Sequence, residues 1–376
     1  MHILLVEPYY AGSHAAWAAG YAAHSRHQVS CLTMPGRFWK WRMHGGAVAL
    51  ARRLLAGSLT PDVILATDML DVATFLALTR RRTHSARVAI YFHENQLNYP
   101  WPAEDRDVRH GRDIHYAFIN YTSALAADAV FFNSHYHMEA FFDALPRLLK
   151  HFPDYRGLAT IEALRARSQV LPLGLELRRL DAYHPASTAP TATVSSYAGP
   201  IILWNHRWEY DKNPGDFFRA LYLLVERGFD FRVVILGQGF RQRPAEFFEA
   251  AERLGSRLLH MGYVSDFASY ASWLWQADVL PVTSYHDFFG VSVVEAIYCG
   301  CWPLLPRRLS YPELIPPEYH AVCFYDDFDD LVERLQTIIA SHRSWDATPL
   351  QRAMARFDWQ HMAPVYDQRL EWLCQP

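Results

Sequence analysis

Cysteine is scarce in this chain. The five, Cys31, Cys299, Cys301, Cys323 and Cys374, are odd in number and follow no framework spacing. That excludes a disulfide scaffold and leads us to expect reduced thiols and a cytoplasmic location. No apolar run approaches the roughly 18 residues of a membrane span, so no membrane partner is expected. Neither sign of charge dominates: the formal net charge is −3, which gives no global pull toward nucleic acid or lipid. Met1 leads straight into Ile3–Val6 with no basic segment before it, and Glu7 interrupts the apolar run early. This reads as a buried first strand and not as a signal peptide.

What is present is a globular composition with many rings. Hydrophobic residues make up 51% of the 376 and aromatic residues 15%, enough for a core with a surplus of the rings that stack on sugars and bases. Basic residues cluster at Arg80, Arg81 and Arg82, and again at Arg37, Lys40 and Arg42, interleaved with Phe38, Trp39 and Trp41. The second run has the composition of a phosphate-and-stacking surface, although runs of charge are commonly just solvated faces.

Strand and helix signals alternate along both halves. Short apolar runs at Ile3–Val6, Val29–Leu32, Val63–Ala66, Val88–Phe92, Ala129–Phe132 and Gln169–Leu171 predict one parallel sheet. Runs at Ile201–Trp204, Phe231–Leu236, Leu258–Met261, Val279–Val282 and Cys301–Leu305 predict a second. Between the two sets lies a polar tract rich in Ser, Thr, Ala and Pro. The expected organisation is a doubly wound α/β domain over residues 1–180, a linker over 181–199 and a second such domain over 200–350. A Trp-rich helical segment over 351–376 is expected to pack back on the first domain. Ligands of open α/β sheets bind outside the carboxyl ends of the strands, so the loops there hold the candidate residues.

In the second half, Arg207 and Lys212 share the loop after the Ile201–Trp204 strand. Two cations there suit a leaving diphosphate. The loop that follows Val279–Val282 runs Asp287, Phe288, Phe289, Gly290, Val291, Ser292 and on to Glu295. Gly290 allows close backbone approach, and the helix start near Val291 and Ser292 suits an anion. Glu295, one turn on, suits ribose hydroxyls, and Asp287 suits the hydroxyls of a sugar. Gly237-Gln238-Gly239 reads as a turn beside a nucleotide. In the first half, His93-Glu94-Asn95-Gln96 places four polar groups at a strand end, as a sugar requires. Gly12-Ser13-His14 forms the matching N-terminal loop. His135, His137 and Glu139 alternate at a helix start, where alternate residues do not share a face, so they are not read as metal ligands. Cys299-Gly300-Cys301 lacks zinc spacing.

Arg207-x4-Lys212 together with Asp287-x2-Gly290-x4-Glu295-Ala296 resembles the donor half of the retaining group-1 glycosyltransferases. Asp287 stands where that family usually has Glu. Ile3–His14, Tyr91–Pro100 with its Phe92-His93-Glu94-Asn95-Gln96 block, Phe131–Ser134 and Leu171–Gly174 resemble the tRNA-queuosine mannosyltransferase family across essentially the whole chain. The resemblance implies a GT-B fold, two Rossmann-like domains facing across a cleft. It implies GDP-mannose as donor and the cyclopentenediol of queuosine in tRNA-Asp as acceptor. It places the nucleotide base at Tyr263 and Val264, which follow Gly262.

The resulting assignment gives catalytic roles to Arg207, Lys212, His93 and Glu94. Donor contacts fall to Gly12, Gly237, Tyr263, Val264, Asp287, Phe289, Gly290, Val291, Ser292 and Glu295. Acceptor contacts fall to Ser13, His14, Arg37, Arg42, Asn95 and Gln96. No metal and no cofactor beyond the nucleotide sugar are expected. Removing Arg207 or Lys212 is expected to spare the fold, since both sit on a loop. The rival readings are a glycan or lipid acceptor, a nucleotide-sugar epimerase, and a non-catalytic sugar-nucleotide binder.

Overall fold

The computed structural model describes residues 1–101, 105–111, 113–185, 199–237, 245–341 and 345–375. They form two units, Met1–Leu175 with Phe357–Pro376, and Glu176–Arg356.

The first unit is built on six parallel strands: β1 His2–Tyr10, β2 Gln28–Pro35, β3 Val63–Thr67, β4 Arg87–Phe92, β5 Ala129–Phe132 and β6 Ser168–Val170. Their order across the sheet is β2-β1-β3-β4-β5-β6. The second unit has β7 Ile201–Trp204, β8 Arg232–Leu236, β9 Leu258–Gly262, β10 Val279–Pro281, β11 Trp302–Pro306 and β12 Phe324–Tyr325, in the order β12-β11-β10-β7-β8-β9. Eleven of these twelve strands coincide with the apolar runs. The two-residue β12 is too short to carry a pattern, and pairing with Leu305 and Pro306 defines it.

Strands that are apolar on both faces must be covered on both faces, which the intervening helices do. One device recurs at strand entries. The aspartate just before one strand accepts a backbone N–H from the first or second residue of a neighbour: His2 to Asp62 at 2.7 Å, Val88 to Asp128 at 2.8 Å, and Ile201 to Asp278 at 2.7 Å. Each carboxylate satisfies a donor at a strand start and helps to set the register of its pair.

Both sheets reverse direction at one place, and the crevice beyond the strand ends at such a reversal is where ligands bind. In the first unit it falls between β1 and β3, and in the second between β7 and β10. The second unit's order is that of dinucleotide-binding folds.

The expected linker divides. Leu177–Tyr183 is a 3-10 helix of the second unit, tied there by Trp275 Nε1 donating to the Leu180 carbonyl at 2.9 Å. Residues 186–198 lie outside the described residues. The terminal segment splits into Thr348–Met354 and Trp359–Leu373. The latter docks in the first unit. The Trp359 indole lies between Gly20 and Gly174, where any Cβ would collide with it. Asp367 accepts from Tyr21 Oη at 2.8 Å and from the Arg26 amide at 2.9 Å. No helix among the described residues is long and apolar enough to cross a membrane.

Candidate functional site

At the second unit's reversal, the loops after β7 and β10 interlock. Lys212 is buried and donates through Nζ to the His286 carbonyl at 2.6 Å. Its ammonium also stands 3.4 Å from Asp211 and 3.5 Å from Asp287. The Tyr285 amide donates to the Asp211 carbonyl at 2.7 Å. Arg207 differs: its side chain is 53% exposed and Nη1 lies 3.5 Å from Glu209. One cation is thus held deep by its own chain, and the other reaches outward. Burial pushes the Asp287 carboxyl up, but the Lys212 ammonium foremost outweighs it and holds it below its usual range.

The Val291–Tyr298 helix opens at this loop. Gly290 caps it in the left-handed region at φ 96°, so its first-turn amides are presented without a side chain in the way. Asn205 Nδ2 donates to the Ser292 carbonyl at 2.8 Å, and His206 Nδ1 lies 2.9 Å from Ser292 Oγ. The end of β7 therefore holds the helix start in place. Glu295, one turn in, accepts from Tyr270 Oη at 2.7 Å. Burial raises the Glu295 carboxyl and the Tyr270 hydrogen bond opposes that rise. Gly237 lies against the His206 carbonyl at φ 90°, which only glycine adopts freely. Gln238 and Gly239 lie outside the described residues. Tyr263 is 62% exposed at the end of β9, with Val264 beside it half-buried.

The first unit's reversal gathers a different set. Glu7, late in β1, is fully buried and accepts from the Tyr9 amide at 2.6 Å and pairs with His14 Nδ1 at 2.9 Å. Asp68, just past β3, accepts the His93 amide at 2.9 Å. The His14 and His93 rings lie 4.3 Å apart, and Trp17 meets His93 edge-on at 4.6 Å. Burial alone would lower His14, but Glu7, aided by Asp68 and Glu94, raises it to about 9. Burial, then His14 and His137, lower His93 well below its usual value. An imidazolium thus stands beside a neutral imidazole whose Nε2 is buried without a partner among the described residues. Gln96 Nε2 donates to Glu94 Oε1 at 3.2 Å. Asn95 turns the chain by accepting the Leu97 and Asn98 amides, both at 3.0 Å. Thr67 Oγ1, Asn95 Nδ2, Gln96 Oε1 and Asn98 Oδ1 are also buried and unsatisfied. Thr67 ends β3 and the others follow β4, in the strand-end loops where open α/β sheets take their ligands. One donor atom each from Glu7, His14 and His93 lies within 4.8 Å of the others, a set able to surround a cation. The protonated state of His14 opposes ligation, which needs a free ring nitrogen.

Several expected contacts fall elsewhere. Arg42 is buried, and its Nε donates to the Pro35 carbonyl at 3.1 Å, so it closes the end of β2 and does not face a ligand. Lys40 is taken by Asp105 and Asp107. Arg37, Phe38 and Trp41 remain outward, with Phe38 and Trp41 72% and 63% exposed. Arg80–Arg82 end the Val72–Thr83 helix, which runs back from the β3 end toward the start of β4. They lie at the opposite edge from the site, and Arg82 caps the Gly57 carbonyl. Asp287 Oδ2 holds Lys212 and accepts from Tyr311 Oη at 3.3 Å, and Oδ1 accepts from the Phe289 amide at 3.4 Å, so both its oxygens are engaged within the protein. Gly12 and Ser13 are exposed at the start of the Gly12–His24 helix. His137 is buried with Nδ1 on Asn133, while Glu139 pairs with Arg165, so this trio does not converge. Glu7, Asp68, His206 and Tyr270 were not anticipated as site residues. For Glu7 the signal was there: a carboxylate inside an apolar strand must be paired.

A family model for the tRNA-queuosine alpha-mannosyltransferase N-terminal region matches residues 2–175, and one for glycosyl transferases group 1 matches residues 194–355. A Drosophila melanogaster tRNA-queuosine alpha-mannosyltransferase is 35% identical over 318 residues, 84% of this chain and 82% of the fly protein. A GDP-mannose-dependent alpha-(1-6)-phosphatidylinositol dimannoside mannosyltransferase of Mycobacterium tuberculosis is 25% identical over 195 residues, 51% of this chain and 49% of that one. Among solved structures, apo OtsA aligns with a TM-score of 0.69 at 14% identity. Anabaena Alr3699/HepE in complex with UDP aligns at 0.67 and 15%; each alignment covers 99% of both chains. At that identity they speak for the fold, which is GT-B. With both halves matched and the fly relative similar along most of its length, the chain belongs to the tRNA-queuosine alpha-mannosyltransferase family and is a glycosyltransferase.

Proposed function

We propose that the protein transfers mannose, with retention, from GDP-mannose to the cyclopentenediol of queuosine in tRNA-Asp, in the cytoplasm. The observation that carries this reading is the similarity to the fly queuosine enzyme along 84% of the chain. Two features of the strand-end sites support it. The second unit offers cations and a glycine-capped helix start, which suit a nucleoside diphosphate. The first offers a hydrogen-bonding nest with unsatisfied groups, which suits a diol.

In this mechanism Arg207 and Lys212 hold the diphosphate and stabilise its charge as the glycosidic bond breaks. The acceptor hydroxyl attacks on the face the diphosphate leaves, and a departing phosphate oxygen takes its proton. No protein nucleophile is assigned. His93 faces the donor sugar, Glu94 polarises the acceptor hydroxyl, and Glu295 accepts the ribose hydroxyls. The cations and the helix start do the work a divalent ion would do, so neither metal nor cofactor takes part. Arg37 with the exposed Phe38 and Trp41 offers a cation and two rings to an unpaired RNA loop.

The deciding assay incubates the protein with GDP-mannose and tRNA-Asp, with and without queuosine, and reads the nucleosides by mass spectrometry. A mannose mass gain on queuosine alone is expected. Equal labelling of both RNAs refutes the acceptor.

A second reading has one observation in its favour. Trp41, Val48 and Leu55 recur every seventh residue on the Trp39–Ala56 helix and are all exposed, an apolar stripe that suits a lipid surface. A lipid-acceptor arm in the same assay separates the two.

A further inference from the structure

His206 stands directly before Arg207, and no role was expected of it. Four contacts fix it. Its carbonyl accepts from Trp204 Nε1 at 3.0 Å, and Gly237 lies so close to that carbonyl that no Cβ would fit. Its ring meets the Trp204 ring at 5.4 Å and 90°, and its Nδ1 lies 2.9 Å from Ser292 Oγ. The residue is 4% exposed, yet Nε2 is buried without a partner among the described residues. A polar ring atom held this firmly and left unpaired is costly in a folded protein, unless a ligand completes it.

The surroundings say what kind of ligand. Ser292 lies in the first turn of the glycine-capped Val291–Tyr298 helix, whose free amides favour an anion. Burial, then the Lys212 ammonium, press the ring down to about 3, against the pull of Asp287, so it is neutral at any working pH. A neutral imidazole has one N–H. A phosphate offers only acceptors, so the nitrogen that meets it must be the protonated one. Nδ1 then accepts from the Ser292 hydroxyl.

We propose that His206 is a binding residue of the donor site, donating from Nε2 to a phosphate oxygen of the nucleoside diphosphate, with Ser292 selecting its tautomer. The proposal rests on the donor-site reading above.

The test titrates GDP, UDP and guanosine by calorimetry against wild type, His206→Ala, His206→Gln, Ser292→Ala and Arg207→Ala. Thermal melts confirm that each variant is folded. Nitrogen NMR of the labelled ring reads the tautomer. We expect His206→Ala to weaken diphosphate binding roughly tenfold to a hundredfold, as loss of one hydrogen bond to a charged group does. Guanosine binding should be unchanged, His206→Gln should recover part of the loss through its amide N–H, and the wild-type ring should carry its proton on Nε2, with a shift on adding diphosphate. If His206→Ala does not fold, His206→Gln and Ser292→Ala carry the test, each binding diphosphate more weakly than wild type while binding guanosine equally. Wild-type diphosphate affinity in the folded His206 variants, alongside loss in Arg207→Ala, overturns this inference and leaves the donor-site reading standing. A proton on Nδ1 in the diphosphate-bound protein also overturns it. Failure of the wild type to bind either diphosphate removes the donor-site reading, and the role of His206 with it.

Discussion

The two sheets place their polar clusters at the same kind of position, the reversal of strand order, and fill it with opposite chemistry. In the second unit the reversal holds Lys212 and Arg207 beside a helix start, with carboxylates engaging the cations. In the first, Glu7, Asp68 and Glu94 act together on the His14 imidazolium, and amide and hydroxyl atoms past β3 and β4 lack partners among the described residues. Topology thus fixes where a ligand sits, while the residues just past each strand fix which ligand it is. On the function proposed above, the second unit's site suits negative charge that grows during the reaction, and the first unit's suits neutral hydroxyls that must be oriented.

The largest effect that would sharpen this contrast comes from the two cations, which are not equivalent. Arg207→Ala removes an outward charge, and transfer should fall about 10- to 100-fold with an unchanged melting temperature. Lys212→Ala should abolish transfer and also lower the melting temperature, because it leaves Asp211 and Asp287 facing one another without their cation. The expectation that both changes spare the fold is therefore revised for Lys212, which is buried despite its place in a short turn. Equal melting temperatures for the two variants would break the distinction between deep and outward cation.

Next in size is the ribose contact. Glu295→Gln should weaken nucleoside diphosphate binding about tenfold. A 2′,3′-dideoxy diphosphate should then show little further loss, since both changes remove the same hydrogen bonds. Additive losses would place Glu295 away from the ribose.

How much of this was legible beforehand depended on how local the information is. A parallel strand announces itself by its own apolar residues, and so does a cation pair in the loop behind one; hence Arg207, Lys212, Gly290 and Glu295. In the Glu7–His14–Asp68–His93 group the histidines were legible and Glu7 carried a signal of its own, but their grouping was not. Its acids come from two strand ends, and only the sheet order makes those ends neighbours. Tyr270 reaches Glu295 from another helix, which spacing along the chain does not reveal. The same reason works in reverse for Arg42 and Arg80–Arg82. They look available in a list of residues, but helix direction and carbonyl capping take them away from the site.

A smaller effect concerns the first unit's ion pair. His14 moves from its ordinary 6.5 in the unfolded chain to about 9 when folded. The folded state therefore holds the proton more tightly, so this contribution to stability is complete below about pH 6.5 and disappears as pH rises through about 9. Denaturant melts between pH 6 and 10 should show that decline in the wild type and a flatter profile in His14→Ala. A wild type equally stable at pH 6 and pH 10 would remove the imidazolium from the comparison. The smallest effect is a null one: excess chelator should leave the transfer rate within about twofold. Loss of activity with chelator, restored by a divalent ion, would instead make Glu7, His14 and His93 a metal centre.

The Trp359 indole between Gly20 and Gly174 has a consequence for synthesis. Tyr366 and Asp367, the partners of Trp17 and Tyr21, leave the ribosome only after all of Glu176–Arg356 has emerged. The first unit is thus completed only after the second has been made, whereas the second is contiguous and can fold during translation. Until those partners arrive, Trp17 and Tyr21 lack the contacts that bury them in the folded unit, and exposed apolar surface of that kind favours aggregation.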